Sequence, residues 1–258
     1  MTGTWQTLDL LILPLLAGWL VLSTHVPLGL QVLDRGIVFM DLAIAQMAGL
    51  GVMVADVLGW QGALAVQASA LSFAGLSALL LTWTERHAAA HQEALIGVLF
   101  VLAASAGLLL IAHHPHGGEH LKDLLAGQIL WVDATHLLGL GLSSGVILWF
   151  MHSGGMARMG RLGFYAVFAV AVTVSVQLVG VYLVFSSLII PALGTRHLQG
   201  RLRLRAAYAM GALAYALGLL ISVLWDAPTG AVIVWTLALC GLLTSVWCPS
   251  VPTKKKAP

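Results

Sequence analysis

The stretch ALIGVLFVLAASAGLLLIA (residues 94–112) contains no charged side chain, and runs of this kind decide the fold. A helix needs about 20 apolar residues to cross the hydrocarbon core of a bilayer, because each residue rises about 1.5 Å. The whole chain has the same character, since 60% of its 258 residues are hydrophobic and 9% are charged. A soluble domain has about 25% charged residues. The composition therefore predicts a membrane protein rather than a soluble enzyme.

The apolar runs are continuous rather than alternating, so they predict helices and not the strands of a barrel. A short additional run, FSSLIIPALG (residues 185–194), contains Pro191 and predicts a broken half-helix buried within the protein. The sequence thus predicts an all-α polytopic bundle of eight to nine membrane segments, one of them this short broken helix. The eight long runs are residues 8–22, 37–58, 63–82, 94–112, 134–151, 164–184, 206–224 and 231–247.

The basic residues predict the orientation. If the short run crosses, the chain passes the membrane nine times, and nearly all positive charge falls on the side of the C-terminus. We therefore expect the N-terminus outside, residues 1–248 as one transmembrane domain and residues 249–258 as a basic cytoplasmic tail. The residues placed inside are Arg35, Arg86, Arg158, Arg161, Arg196, Arg201, Arg203, Arg205 and Lys254–Lys256, whereas Lys122 is placed outside.

The densest polar cluster is HHPHGGEHLKD (residues 113–123), in a predicted outer loop. Imidazole and carboxylate groups together suit zinc and neighbouring metals, so the loop is a candidate for metal capture, with an ordinary solvated loop as the alternative. Its H-x-x-E-H spacing is also that of a zinc peptidase, but Pro115 and the two glycines after His116 disfavour the helix that such a site needs. The candidate ligands are His113, His114, His116, Glu119 and His120.

Inside the membrane, Asp41 is the acidic residue that requires an explanation. An ionised carboxylate at the centre of a spanning helix costs about 2.5–3.5 kcal/mol on insertion scales. Gln46 follows on the same helix, turned by about 140°. We expect both side chains to line a cation pathway, with a structural hydrogen bond or a position at the membrane interface as the alternative for Asp41.

No phosphate-binding G-x-x-x-x-G-K-[ST] sequence occurs in the chain, and its only lysines are Lys122 and Lys254–Lys256. If transport across the membrane is driven by ATP, we expect a separate subunit to hydrolyse it.

Several segments of the chain resemble the sequences of one family, the permease subunits of bacterial ABC importers for zinc, manganese and iron(II). The strongest match is VGVYLVFSSLIIPALGTR (Val179–Arg196), similar to V-G-x-L-L-V-x-x-L-L-I-I-P-A-x-x-A-R in the family. The other matches occur in the order of the family and cover nearly the whole chain. They are PLG (27–29), FMDLAIAQMAGLG (39–51), DLLAGQIL (123–130) and DAPTGAVIV (226–234).

The resemblance implies a homodimeric permease in the bacterial inner membrane, with cytoplasmic ATP-binding subunits and an outer metal-binding protein as partners. It implies no catalytic residue and no permanent cofactor, only a transported metal. The family has Asp-x-x-x-His in its second span; the histidine falls on Gln46, and Asp41 lies five residues before it. The loop SGGMARMGR (153–161) occupies the position of the coupling segment and predicts Met156, Arg158 and Arg161 at the ATPase contact.

The histidines favour zinc as the transported metal. Manganese, iron and a metal chelate stay open as alternatives within the same family, since manganese sites use more oxygen ligands. An intramembrane zinc enzyme built on the histidine loop is the alternative from another class. That enzyme requires histidines held on rigid elements.

Overall fold

The computed structural model describes residues 3–60, 62–112 and 125–247. Within these ranges no β-strand occurs, and nine α-helices follow one another. They are α1 (Gly3–Arg35), α2 (Met40–Val57), α3 (Ala63–His87), α4 (Gln92–Ile111), α5 (Ala134–His152), α6 (Gly155–Arg158), α7 (Gly160–Gly194), α8 (Gly200–Trp225) and α9 (Thr229–Trp247). All except α6 are long and apolar enough to cross a membrane, which confirms the predicted all-α bundle.

The first span is longer than the sequence predicted. Helix α1 does not end near residue 22 but continues through Pro27 to Arg35. A proline inside a helix removes one N–H donor and leaves the carbonyl four residues earlier without its partner. Here that carbonyl belongs to Ser23, and the Tyr208 hydroxyl of α8 donates to it at 2.9 Å. A neighbouring helix therefore supplies the missing hydrogen bond, and α1 passes through the proline.

Helix α7 consists of two arms that run in opposite directions. Phe164, in the first arm (residues 160–179), lies under the Arg35 guanidinium at 3.9 Å. Leu188, in the second arm (residues 181–194), touches the backbone of α1 at Gly29, less than two turns from Arg35. A straight helix would separate Phe164 from Leu188 by about 36 Å, so the chain must fold back between them.

The reversal occurs at Gly180, whose φ of 79° and ψ of 162° suit only glycine. The sequence predicted that Pro191 breaks the short run, and this is wrong, because Pro191 lies within the second arm without breaking it. The reason is a contact distant in sequence. The backbone of residues 126–128 fills the break, where Gln128 N–H donates to the Leu178 carbonyl at 3.0 Å.

The predicted basic side is one end of the bundle, which we call the arginine end. It contains the last turn of α1, the last turn of α3, α6, and the starts of α7 and α8. Two ion pairs connect these elements: Arg161 Nε with Glu85 Oε1 at 3.3 Å, and Arg203 Nη1 with Asp34 Oδ1 at 3.0 Å. Both arms of α7 meet this end, so the described residues contain eight helices that could cross a membrane, and counting the short second arm of α7 separately gives nine segments. The predicted basic tail lies outside the described residues.

Candidate functional site

Asp41 lies in the first turn of α2, close to the arginine end, and its side chain is 1% exposed. Within the described part of the chain, no side chain donates a hydrogen bond to either of its carboxylate oxygens. The backbone N–H groups of Asp41 and Leu42 are the nearest donors, and they belong to the unpaired first turn of the helix. The positive end of the helix dipole therefore favours the carboxylate, but both oxygens keep their capacity to bind a ligand.

Glu93 is a second, partly buried carboxylate near the start of α2, and it could not be recognised from the sequence. It lies in the first turn of α4, which packs beside α2. Its Oε1 accepts a hydrogen bond from the Phe39 N–H at 3.2 Å, while Oε2 is shielded from solvent and has no partner. Glu93 lies near enough to Asp41 for their charges to repel, although the burial of Asp41 has the larger effect on its carboxyl group. In the sequence, the only available signal was an acidic residue immediately before an apolar run.

Gln46 lies further along α2, about 7.5 Å from Asp41 along the helix axis. Its side chain lines a cavity of about 210 Å³ between α2 and α4. Apolar side chains form the rest of the wall, with Met53 packed against Gly107 of α4. Asp41 is not part of this wall, so the structure does not bring the two predicted pathway residues into one site. They occupy successive levels of the same interface.

The predicted ATPase contact lies on the exposed surface of the arginine end. Met156 and Arg158 belong to the short helix α6, and Arg161 follows in the first turn of α7. Met156 is partly buried against the core, while both arginines are exposed. Arg161 also forms an ion pair with Glu85, which connects the start of α7 to the end of α3.

A hydrogen-bonded side chain connects the ends of α3, α4 and α7 at the same level. Gln92, the first residue of α4, donates to the Leu81 carbonyl at 3.1 Å and to the Tyr165 hydroxyl at 3.2 Å. The next residue is Glu93. The start of α4, which carries that carboxylate, is therefore tied to α3 and α7.

His25 in α1 is a buried polar residue that the sequence analysis did not consider. Its Nδ1 lies 2.9 Å from the Val21 carbonyl, and its Nε2 has no partner. It forms no cluster with the carboxylates: across the described ranges, no three His, Cys, Asp or Glu side chains are grouped as metal ligands. The loop candidates His113, His114, His116, Glu119 and His120 lie outside those ranges.

At the opposite end of the bundle, Asp133 caps α5. Its Oδ1 accepts from the His136 N–H at 2.8 Å and from the Thr135 hydroxyl at 2.8 Å. These hydrogen bonds, that of the His136 N–H first, lower the pKa of Asp133 to about 2. The carboxylate has its partners and is exposed, so it is a structural cap.

Comparison with known proteins identifies the family that has this architecture. A model of the ABC 3 transport family matches residues 7–153 and 153–248, which is nearly the whole chain. The manganese transport system membrane protein MntC of Halalkalibacterium halodurans is 25% identical over 227 residues, which cover 80% of this chain and 76% of the relative.

Two solved structures have the same fold. In PsaBC from Streptococcus pneumoniae in complex with Fab, one chain superposes with a TM-score of 0.77 at 22% identity, and 97% of each chain is covered. An inward-facing ABC transporter described as of the metal-chelate type gives a TM-score of 0.65 at 17% identity, covering 91% of this chain and 84% of the other. The resemblance drawn from the sequence motifs is thus confirmed, and the chain belongs to the ABC 3 transport family.

Proposed function

We propose that this chain is the membrane-spanning subunit of an ATP-driven importer of a divalent transition metal. The observation that carries the proposal is Asp41, a buried carboxylate without side-chain partners inside a bundle of the ABC 3 transport family. A carboxylate in such a place is costly unless it meets a cation, because lipid and apolar side chains cannot solvate its charge. The Gln46 cavity, on the side away from the arginine end, gives the cation a preceding position on the path.

Zinc is the metal that we propose from the histidine-rich loop. His113, His114, His116 and His120, with Glu119, would capture the metal outside and raise its concentration at the mouth of the path. Manganese is the second candidate, because Asp41 and Gln46 offer oxygen atoms rather than the imidazole that zinc prefers. The name of the Halalkalibacterium relative also supports manganese.

The partners follow from the same proposal. A cytoplasmic ATP-binding subunit would dock on α6, with Met156, Arg158 and Arg161 at the contact and residues 196–205 as a second basic patch. A secreted or periplasmic metal-binding protein would dock at the opposite end, and two copies of the chain would form the pore in the bacterial inner membrane. The chain itself would have no catalytic residues and no resident cofactor.

The test uses a strain that lacks its own zinc and manganese importers. The gene is expressed with its neighbouring ATPase and binding-protein genes, and the uptake of radioactive zinc and manganese is measured against the same set without the permease. We expect uptake of one of the two metals to rise at least about tenfold, because the path through the membrane is then complete. The purified chain alone should hydrolyse no ATP. Unchanged uptake of both metals, or ATP hydrolysis by this polypeptide by itself, would refute the proposal.

A further inference from the structure

We infer that Glu93 and Asp41 together hold the transported cation at the arginine end of the path, before it leaves the protein. This inference rests on the proposed function, because import moves the metal toward the arginine end. It assigns a role to a residue of α4 that lies outside the predicted metal motif of α2.

The geometry brings the two carboxylates together from neighbouring helices. Helices α2 and α4 both begin at the arginine end and pack side by side. The hydrogen bond from the Phe39 N–H to Glu93 Oε1 fixes the Glu93 side chain against the start of α2, two residues before Asp41. Three shielded carboxylate oxygens then receive no side-chain hydrogen bond from the residues that the structure describes: both of Asp41 and Oε2 of Glu93.

The electrostatics of the pair favour a positive partner. Two neighbouring carboxylates repel each other, and the fully buried Asp41 has lost its hydration, whereas Glu93 is partly buried. None of the ion pairs formed by residues 3–60, 62–112 and 125–247 involves either side chain. A divalent cation neutralises both charges at once and accepts oxygen ligands from both helices, completing its shell with water.

A purely structural role for Glu93 is the competing explanation, since its Oε1 caps the backbone of α2. The two roles separate in the variant Glu93→Gln. Glutamine keeps a carbonyl oxygen that can accept from the Phe39 N–H, but it lacks the charge. A capping role therefore survives this substitution, whereas a cation-binding role does not.

The experiment measures metal uptake and metal binding in the same variants of the intact transporter. Uptake is measured in cells, and equilibrium binding of zinc and of manganese is measured on the purified complex in detergent. Both Glu93→Gln and Asp41→Asn should lower uptake about tenfold or more, and weaken binding of the transported metal by a similar factor. The loss in the double variant should be smaller than the product of the two single losses, because both carboxylates act on one ion.

Asp56→Asn is the matched control, because Asp56 is an exposed carboxylate at the other end of α2; its uptake should equal that of the wild type. Normal uptake and binding by Glu93→Gln would overturn the inference.

If Glu93→Gln does not accumulate, the test is the thermal stability of the complex with and without metal. The metal should raise the Tm of the wild-type complex and not that of Asp41→Asn. An equal rise in both would overturn the inference. Failure of the wild type to take up either metal would instead contradict the proposed function.

Discussion

Two places in this bundle put polar groups where a membrane protein ordinarily avoids them, and they are treated in opposite ways. At Gly180 the helix α7 is interrupted, and the freed backbone groups meet the backbone of residues 126–128. At the starts of α2 and α4, Asp41 and Glu93 leave three oxygens without partners. The first place is completed by the protein itself, while the second is left incomplete.

This difference distinguishes a structural feature, the break at Gly180, from a candidate binding site, the carboxylates of Asp41 and Glu93. A break in a membrane helix is tolerated when other protein groups satisfy it, and the Gln128 N–H does so at the Leu178 carbonyl. The carboxylates are satisfied only in part: the Phe39 N–H donates to Glu93 Oε1, while Glu93 Oε2 and both Asp41 oxygens receive no side-chain hydrogen bond within the described ranges. The start of α4 is nevertheless fixed by the hydrogen bonds of Gln92. A rigid position with unused ligand atoms is what a binding site for a passing ion requires.

The largest effect on folding is expected from a substitution at Gly180, where α7 is interrupted. Gly180→Ala places a side chain in a backbone conformation that only glycine adopts readily, and the new Cβ would lie 2.6 Å from the Ala126 carbonyl carbon. The strain and the clash should cost about 3 kcal/mol or more, so the amount of folded protein in the membrane should fall sharply. Gly139→Ala is the control, because nothing lies within 4 Å of that position in α5. Normal amounts of folded Gly180→Ala, measured by size-exclusion chromatography, would contradict this account.

The sequence was sufficient for the spans but not for this break. Apolar runs and arginines predicted the helices and the arginine end, since hydropathy and charge act locally along the chain. The position of the break depends on how residues 126–128 approach α7, and that contact joins segments about 50 residues apart. A proline in the second arm drew the prediction to Pro191, where the helix is in fact continuous.

A substitution in the carboxylate pair should change the amount of folded protein less than Gly180→Ala does, but it should abolish metal uptake. Asp41→Ala should leave the amount of folded protein unchanged, since the side chain accepts no hydrogen bond that holds the bundle together. Metal uptake should fall to background, because an apolar side chain leaves one carboxylate to face a divalent ion alone. Uptake and protein amount are measured in the same membranes, with Asp56→Ala as the exposed control. Normal uptake by Asp41→Ala would make the residue structural.

Of the two carboxylates, only Asp41 could be identified from the sequence. Asp41 interrupts an apolar run, and the cost of a charge inside a span identifies it directly. Glu93 stands before its run, where an acidic residue is typical of a helix start at the interface. Its importance depends on α4 lying beside α2, which the sequence does not specify. The cavity beside Gln46 likewise depends on how α4 packs against α2, so its position could not be read from the sequence.

The smallest effect is expected at Gln46, and it tests whether the cavity belongs to the same path as the carboxylates. Gln46→Ala removes one neutral oxygen ligand, which should lower uptake only about two- to fivefold, because an amide binds a cation more weakly than a carboxylate. Gln46→His introduces the imidazole that zinc prefers, so zinc should compete better with manganese than it does in the wild type. Competition is measured as the zinc concentration that halves manganese uptake.

Gln31→Ala provides the matched control, because its amide donates to the Pro27 carbonyl of its own helix at 3.3 Å. Unchanged competition in Gln46→His, together with normal uptake in Gln46→Ala, would remove the cavity from the path. The metal would then reach Asp41 by another route, and the carboxylate pair alone would select it. A shift toward zinc would instead make the path a series of two sites, with the neutral oxygen of Gln46 preceding the two charged groups.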